Sequence, residues 1–386
     1  MPERDGDARR RRRDAGRGRA RRAREVSGEL GRGPPRRQPV FGPRPNQPDD
    51  SLRRCRGRSG RAGRGKSPAR ERRARRVAVR ARASACGAAR RDAAGGRNVS
   101  VVDRASGRGL VGLAASDFKI FEDGAEQHVE HFESAEAPFD LLLLLDLSGS
   151  TARVTDTIRA AARRFVAATR TQDRVAIVTF AGETSIVSPP TSDRAALAAA
   201  IDRIAPPKGD TRLYDSLSYA LDYMKRSADP ARRRAVILMS DGLDSTLPNV
   251  TGVGSTLPYE ELRSRVQEFE GIVYTVWTST EYEAFSPQDI QPETFDLAHD
   301  RLEELAQAGG GAFYEVEKLE DLAGAYERVV ADLGTVYSLS YRPTNKQRDG
   351  RWRVIRVTLP RHNNAVARGK RGYFARGNDE RGTPQR

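Results

Sequence analysis

The chain has 386 residues, with 68 Lys+Arg against 52 Asp+Glu and a formal net charge of +16. That length allows two domains, but the charge is unevenly spread. Residues 1–96 hold 31 basic and 10 acidic side chains, leaving 37 and 42 for the remainder, so a mildly acidic globular part carries a very basic head. Both cysteines, Cys55 and Cys86, fall in the head, which excludes a disulfide framework for the rest. The longest apolar run, at 141–145, is far short of the roughly 20 residues that cross a bilayer, which excludes a membrane-spanning helix.

Residues 1–96 are Arg, Gly, Ala and Pro with almost no apolar periodicity, a composition expected to be disordered. It suits either a tail that binds nucleic acid or another anionic surface through phosphate contacts, or an upstream region translated from a misplaced start. Phe41 is its single aromatic residue, which speaks against base stacking. The run at 60–67 has the spacing of a P-loop, Gly60 to Gly65-Lys66-Ser67. It lacks the buried strand before and the helix after that a phosphate cradle needs, and Pro68 follows at once. No apolar stretch follows the basic run at 9–13, so the chain as given shows no export signal.

From residue 97 the pattern changes. Residues 97–137 read as short strands at 98–103, 119–122 and 127–132, with an Asp123-Gly124 turn. Over 138–333, apolar strands at 139–146, 174–180, 234–240, 271–277 and 312–316 alternate with helices. The helices are expected at 152–169, 193–204, 213–226, 259–269, 298–308 and 319–332. Near-continuous apolar strands belong to a parallel sheet covered on both faces, and the alternation implies a doubly wound α/β fold. Residues 334–376 return to strand periodicity at 336–341, 352–359 and 371–374. They are expected to join 97–137 in one small β-sandwich, with 377–386 as a disordered tail.

In an open α/β sheet, ligands bind beyond the carboxyl ends of the strands. Asp146-Leu147-Ser148-Gly149-Ser150 closes the first apolar strand there, and Ser240-Asp241-Gly242 closes the third. Gly209-Asp210-Thr211 precedes a helix between them. Together these pieces resemble the metal-ion-dependent adhesion site of von Willebrand factor type A domains. The resemblance covers roughly 138–333. The flanks, Ser116-Asp117-Phe118 with Phe121-Glu122-Asp123-Gly124 before and Arg371-Gly372-Tyr373-Phe374 after, look like a bacterial branch of such proteins whose members are usually exported.

The resemblance implies a Mg²⁺ ion (or Mn²⁺ or Ca²⁺) held by Asp146, Ser148, Ser150, Thr211 and Asp241. Ser148 and Ser150 would coordinate directly, Thr211 would join them in the ligand-competent state, and the two aspartates would act largely through water. An ion with so few anionic ligands takes a carboxylate from a partner, so the implied function is adhesion-type binding of a protein with an exposed Asp or Glu. A secreted or periplasmic setting goes with it. The other reading is an intracellular assembly factor that docks onto an ATPase or a metal-insertion complex. Asp210 departs from the family pattern, where a small residue is common. An extra carboxylate there either tightens the metal or crowds the ligand.

Other features carry less. His128, His131, His299 and His362 are scattered and no zinc set completes around them. Asp215 and Asp244 lie near the metal loops, either supporting the ligands or holding a helix start and a turn. The stretches 244–258 and 279–296 read as loop insertions that rim the binding face or are plain surface. The sequons at Asn98 and Asn249 are discounted in a bacterial chain. Ser148 lacks the strained elbow and the placed histidine of a nucleophile, so no enzyme is expected.

Overall fold

The computed structural model describes residues 96–148, 155–205, 209–278, 290–316 and 321–375. The basic head, both cysteines and the run at 60–67 lie outside the described residues, as does the tail. In chain order, β1 (Arg97–Asp103), β2 (Lys119–Glu122), β3 (Ala125–Gln127) and β4 (Val129–Glu133) come first. Then follow β5 (Phe139–Asp146), α1 (Thr155–Ala168), β6 (Arg174–Phe180), β7 (Thr184–Thr191), α2 (Arg194–Asp202) and α3 (Leu213–Ser227). Next come β8 (Arg233–Ser240), α4 (Tyr259–Glu268), β9 (Ile272–Thr278), α5 (Pro292–Gly309), β10 (Gly310–Val316) and α6 (Leu322–Leu333). β11 (Val336–Tyr341), β12 (Trp352–Thr358), β13 (Ala365–Gly369) and β14 (Gly372–Phe374) close the described chain.

Five consecutive leucines form a strand here because alternate side chains find separate cores. Leu141, Leu143 and Leu145 pack with Phe165 of α1, Ile201 of α2 and Tyr326 of α6. Leu142 and Leu144 pack on the opposite face with Leu217 of α3, Val266 of α4 and Leu305 of α5. Strand side chains alternate between faces, so helices on both sides demand an apolar residue at every position. The sheet runs β10-β9-β8-β5-β6-β7, parallel except for β7 against β6. The expected mostly parallel, doubly wound α/β class is what the chain adopts.

Strands from both flanks pair with each other. One four-stranded sheet has the order β13-β1-β11-β4 and the other β14-β12-β2-β3. Val99, Ile120, Tyr337, Leu339 and Ile355 share one apolar cluster between them. Phe118, Phe132 and Tyr337 form its aromatic centre, with ring centroids 5.2–5.8 Å apart. Where 127–132 reads as one strand, the chain makes two in different sheets and switches at His128. Gln127 ends β3 buried, with its amide on the Ala125 carbonyl and the Thr344 hydroxyl, both at 3.1 Å.

Two further differences from the expected elements follow. β7 is a strand absent from the expected set, and it carries Pro189 and Pro190; it lies at the sheet edge, where proline costs no ladder bond. The helix expected at 298–308 starts earlier, at Pro292, so the loop reading fails for 292–296. Proline suits the first helical position because the N–H it lacks would have no helical partner there.

Side chains at the base of the parallel sheet join it to the flanking strands. The buried Arg233 guanidinium donates to the carbonyls of Ala135, Ala137 and Val336, and lies 4.1 Å from the Phe139 ring centroid. Lys370, which follows β13, donates to the carbonyls of Val266 and Gln267 at 3.0 Å and to that of Phe269, capping the end of α4. Burial pushes its ammonium down to about 7, while those three carbonyls favour the charged form. Asp140, fully buried, accepts from Arg174 Nε and Arg232 Nε, both at 2.7 Å, and from the Asp229 N–H at 2.7 Å.

Candidate functional site

Register brings the carboxyl ends of β5 and β8 together. Leu145 lies opposite Met239, so Asp146 ends its strand level with Ser240. The Asp146 carboxylate accepts the Ser148 N–H at 2.9 Å and the Ser240 hydroxyl at 2.5 Å. Ser240 Oγ in turn accepts the Gly242 N–H at 2.9 Å, and Asp241 accepts the Leu243 N–H at 3.1 Å. Gly242 is required for two reasons. Its φ is +79°, and a Cβ would stand 2.8 Å from the Ala298 carbonyl oxygen of α5.

Thr211 arrives from a third loop. Its carbonyl accepts the Ser245 N–H at 2.9 Å and its N–H donates to Ser245 Oγ at 3.1 Å. Arg212 N donates to the Ala181 carbonyl, and Leu147 N to that of Phe180, so the ends of β5, β6 and β8 converge with this loop. Asp146, Ser148, Thr211 and Asp241 are all buried. Ser150 lies outside the described residues. Burial, then the charge of Asp241, push the Asp146 carboxyl up to about 7, against the opposing hydrogen bonds from Ser240 and Ser148.

The loop over 244–258 is held down by three carboxylates, which the sequence leaves undecided between roles. Asp244 accepts from Thr246 N at 2.9 Å, Tyr214 N at 3.3 Å and Ser255 Oγ at 2.5 Å. Asp215 accepts from Thr256 N and Leu257 N, both at 2.9 Å. Asp210, the residue that departs from the family pattern, accepts the Val253 N–H at 2.7 Å. Gly252, at φ +114°, leaves room for it, since a Cβ there would meet the Asp210 carboxylate at 2.5 Å. Nothing in the chain around Asp210 signals this contact, because its partner is 43 residues away. Replacing Asp210 by Ala is expected to free the loop at a cost of about 1 kcal/mol and to speed limited proteolysis near Val253. An unchanged cleavage rate would show the tether to be dispensable.

One of the four histidines sits among aromatic rings. His299 packs edge-on between Trp277 and Phe313, with centroids 5.0 and 4.8 Å away. Trp277 donates its indole N–H to the Asp241 carbonyl at 3.2 Å. Among the described residues, no three His, Cys, Asp or Glu side chains gather as a metal set, and no helix is long and apolar enough to cross a membrane.

The fold and site define an open α/β domain with oxygen-bearing side chains collected at the carboxyl end of its sheet. Residues 141–243 match the family model of the von Willebrand factor type A domain, a protein-interaction fold. The chain is similar to a UPF0353 protein from Nocardia farcinica, 27% identical over 192 residues, covering 46% of this chain and 56% of that protein. It thus spans little more than half the length of this curated relative. Among solved structures it is similar to BatB from Bacteroides thetaiotaomicron: 18% identity, 50% of this chain, 98% of that chain, TM-score 0.39. It is also similar to the vWF domain of a type V pili tip protein from Porphyromonas gingivalis: 17% identity, 50% and 94% coverage, TM-score 0.38.

Proposed function

We propose that the type A domain is a metal-dependent protein-binding module that captures an acidic side chain of its partner. The observation that carries this reading is the pairing of two buried carboxylates, Asp146 and Asp241, on one loop cluster, with the charge of one raising the pKa of the other. Like charges held out of water are costly unless a cation neutralises them. The donors around them are oxygens, the set that suits Mg²⁺, Mn²⁺ or Ca²⁺. Asp146, Ser148, Ser150, Thr211 and Asp241 would hold the ion. When bound, it would supply a positive centre for a carboxylate of the partner protein.

This chain's own residues do the positioning. The Ser240 hydroxyl and the Ser148 N–H fix the Asp146 carboxylate from two sides, and the Ser245 contacts fix the Thr211 backbone. A secreted or periplasmic setting belongs to the same proposal, on the strength of the branch resemblance. The test is calorimetric titration of the full chain with Mg²⁺ and Mn²⁺, beside Asp146→Ala and Ser148→Ala. Saturable binding in the parent, reduced at least about tenfold in each variant, supports the reading. A folded parent that binds neither ion sinks it.

A further inference from the structure

Beside the candidate metal face lies a cleft of about 320 Å³, whose lining includes Tyr214, Thr246, Leu257, Tyr259 and Arg301. It shares its walls with the site loops. Tyr214 is three residues beyond Thr211, and its N–H is held by Asp244. Arg301, on α5, sits with its guanidinium carbon 4.6 Å from the Tyr259 ring centroid and 5.8 Å from that of Tyr214. One of its nitrogens donates to the Tyr214 hydroxyl at 2.7 Å. Among the described residues no carboxylate forms an ion pair with it. Glu304 instead lies 3.9 Å from Arg263 and accepts the Tyr259 hydroxyl at 2.6 Å.

We propose that this cleft is a second anchor, in which Arg301 receives a carboxylate of the partner. A guanidinium stacked on tyrosines is held in one orientation and offers two parallel N–H donors, the arrangement that grips a carboxylate from both oxygens. Tyrosine and arginine in a partly enclosed cleft are also the side chains that dominate binding at protein interfaces. Asp244 and Glu304 each bond a lining residue, Tyr214 and Tyr259, and their charge disfavours a phosphate dianion more than a singly charged group. Asp244 has its oxygens taken by Thr246, Tyr214 and Ser255, so neither carboxylate replaces the ligand on Arg301. The inference rests on the proposed function in so far as one acidic segment would engage both places. The cleft's own affinity needs no metal.

The experiment follows the Tyr259 resonance by ¹⁹F NMR in full-length protein carrying fluorotyrosine, assigned with Tyr259→Phe. The probe is a capped peptide of alternating glycine and glutamate, added in EDTA at physiological salt, against its glutamine counterpart. Peptide held on the basic head instead would shift the signal equally in the parent and the Arg301 variants, which separates the two sources. The expected result is a saturable shift with the glutamate peptide alone, about tenfold weaker in Arg301→Gln and intermediate in Arg301→Lys. No shift in the parent, or an equal shift in both variants, overturns the proposal. Mg²⁺ should then tighten binding in the parent and not in Asp146→Ala; loss of that difference alone strikes the metal reading and leaves the cleft standing.

Discussion

Metal-free protein is expected to lose stability as the pH rises from about 4 to about 7, and Asp146→Asn is expected to abolish most of that loss. The folded state holds the Asp146 proton until about pH 7, whereas an aspartate in the unfolded chain ionises near 3.9. Between those values the native state binds more protons than the unfolded one, so stability falls with rising pH and levels off above the window. The full effect is on the order of a few kcal/mol. An asparagine keeps an acceptor for the Ser148 N–H and removes the charge that Asp241 opposes. The variant should therefore be more stable than the parent at pH 8 in EDTA. Under the proposed function, Mg²⁺ should raise the parent's melting temperature at pH 8 and leave the variant's unmoved. Parallel stability curves for the two proteins from pH 4 to 8 would refute the argument.

Asp140→Ala is expected to cost about 3–5 kcal/mol, because it strands two guanidinium groups that a buried carboxylate now neutralises. Arg174 and Arg232 both bond Asp140, and Arg232 also reaches the Phe139 carbonyl at 3.0 Å. The hydrogen bond to Asp140 raises the pKa of Arg174, the mark of a cation that this carboxylate stabilises. A fall in melting temperature of about 10 °C should follow in a domain of this size. A loss under 1 kcal/mol by urea denaturation would mean that water replaces the carboxylate at the sheet base.

The central sheet was legible because burial on both faces leaves a one-dimensional signature. No other architecture readily explains Leu141 to Leu145 ending in Asp146, or Ala235 to Met239 ending in Ser240. The type A resemblance rested on those ends. Where burial is one-sided the signature fades. β7 alternates weakly through Pro189 and Pro190, and β13 is five residues with no fully buried side chain. The split at His128 leaves no local mark, because period-two alternation continues through it while the chain changes sheets. At the site, the positions of Asp146, Thr211 and Asp241 follow from strand ends, which local sequence marks. The tethers of Asp210, Asp215 and Asp244 do not, since each joins residues that are neighbours only in the folded chain. Arg301 was hidden for the same reason: its tyrosines come from 42 and 87 residues away.

The pairing of β1 with β11 also sets an order of events during synthesis. Asn98 and Ser338 share a hydrogen bond across 240 residues. At about 5–20 residues per second, β1 waits on the order of 10–50 s for its neighbour to be made. Every strand of the parallel sheet is available before then, so that sheet is free to close while Val99 and Val101 still lack the cover of Tyr337 and Leu339. The nascent chain thus passes through a stage in which β1, the earliest strand among the described residues, is unprotected and open to mispairing.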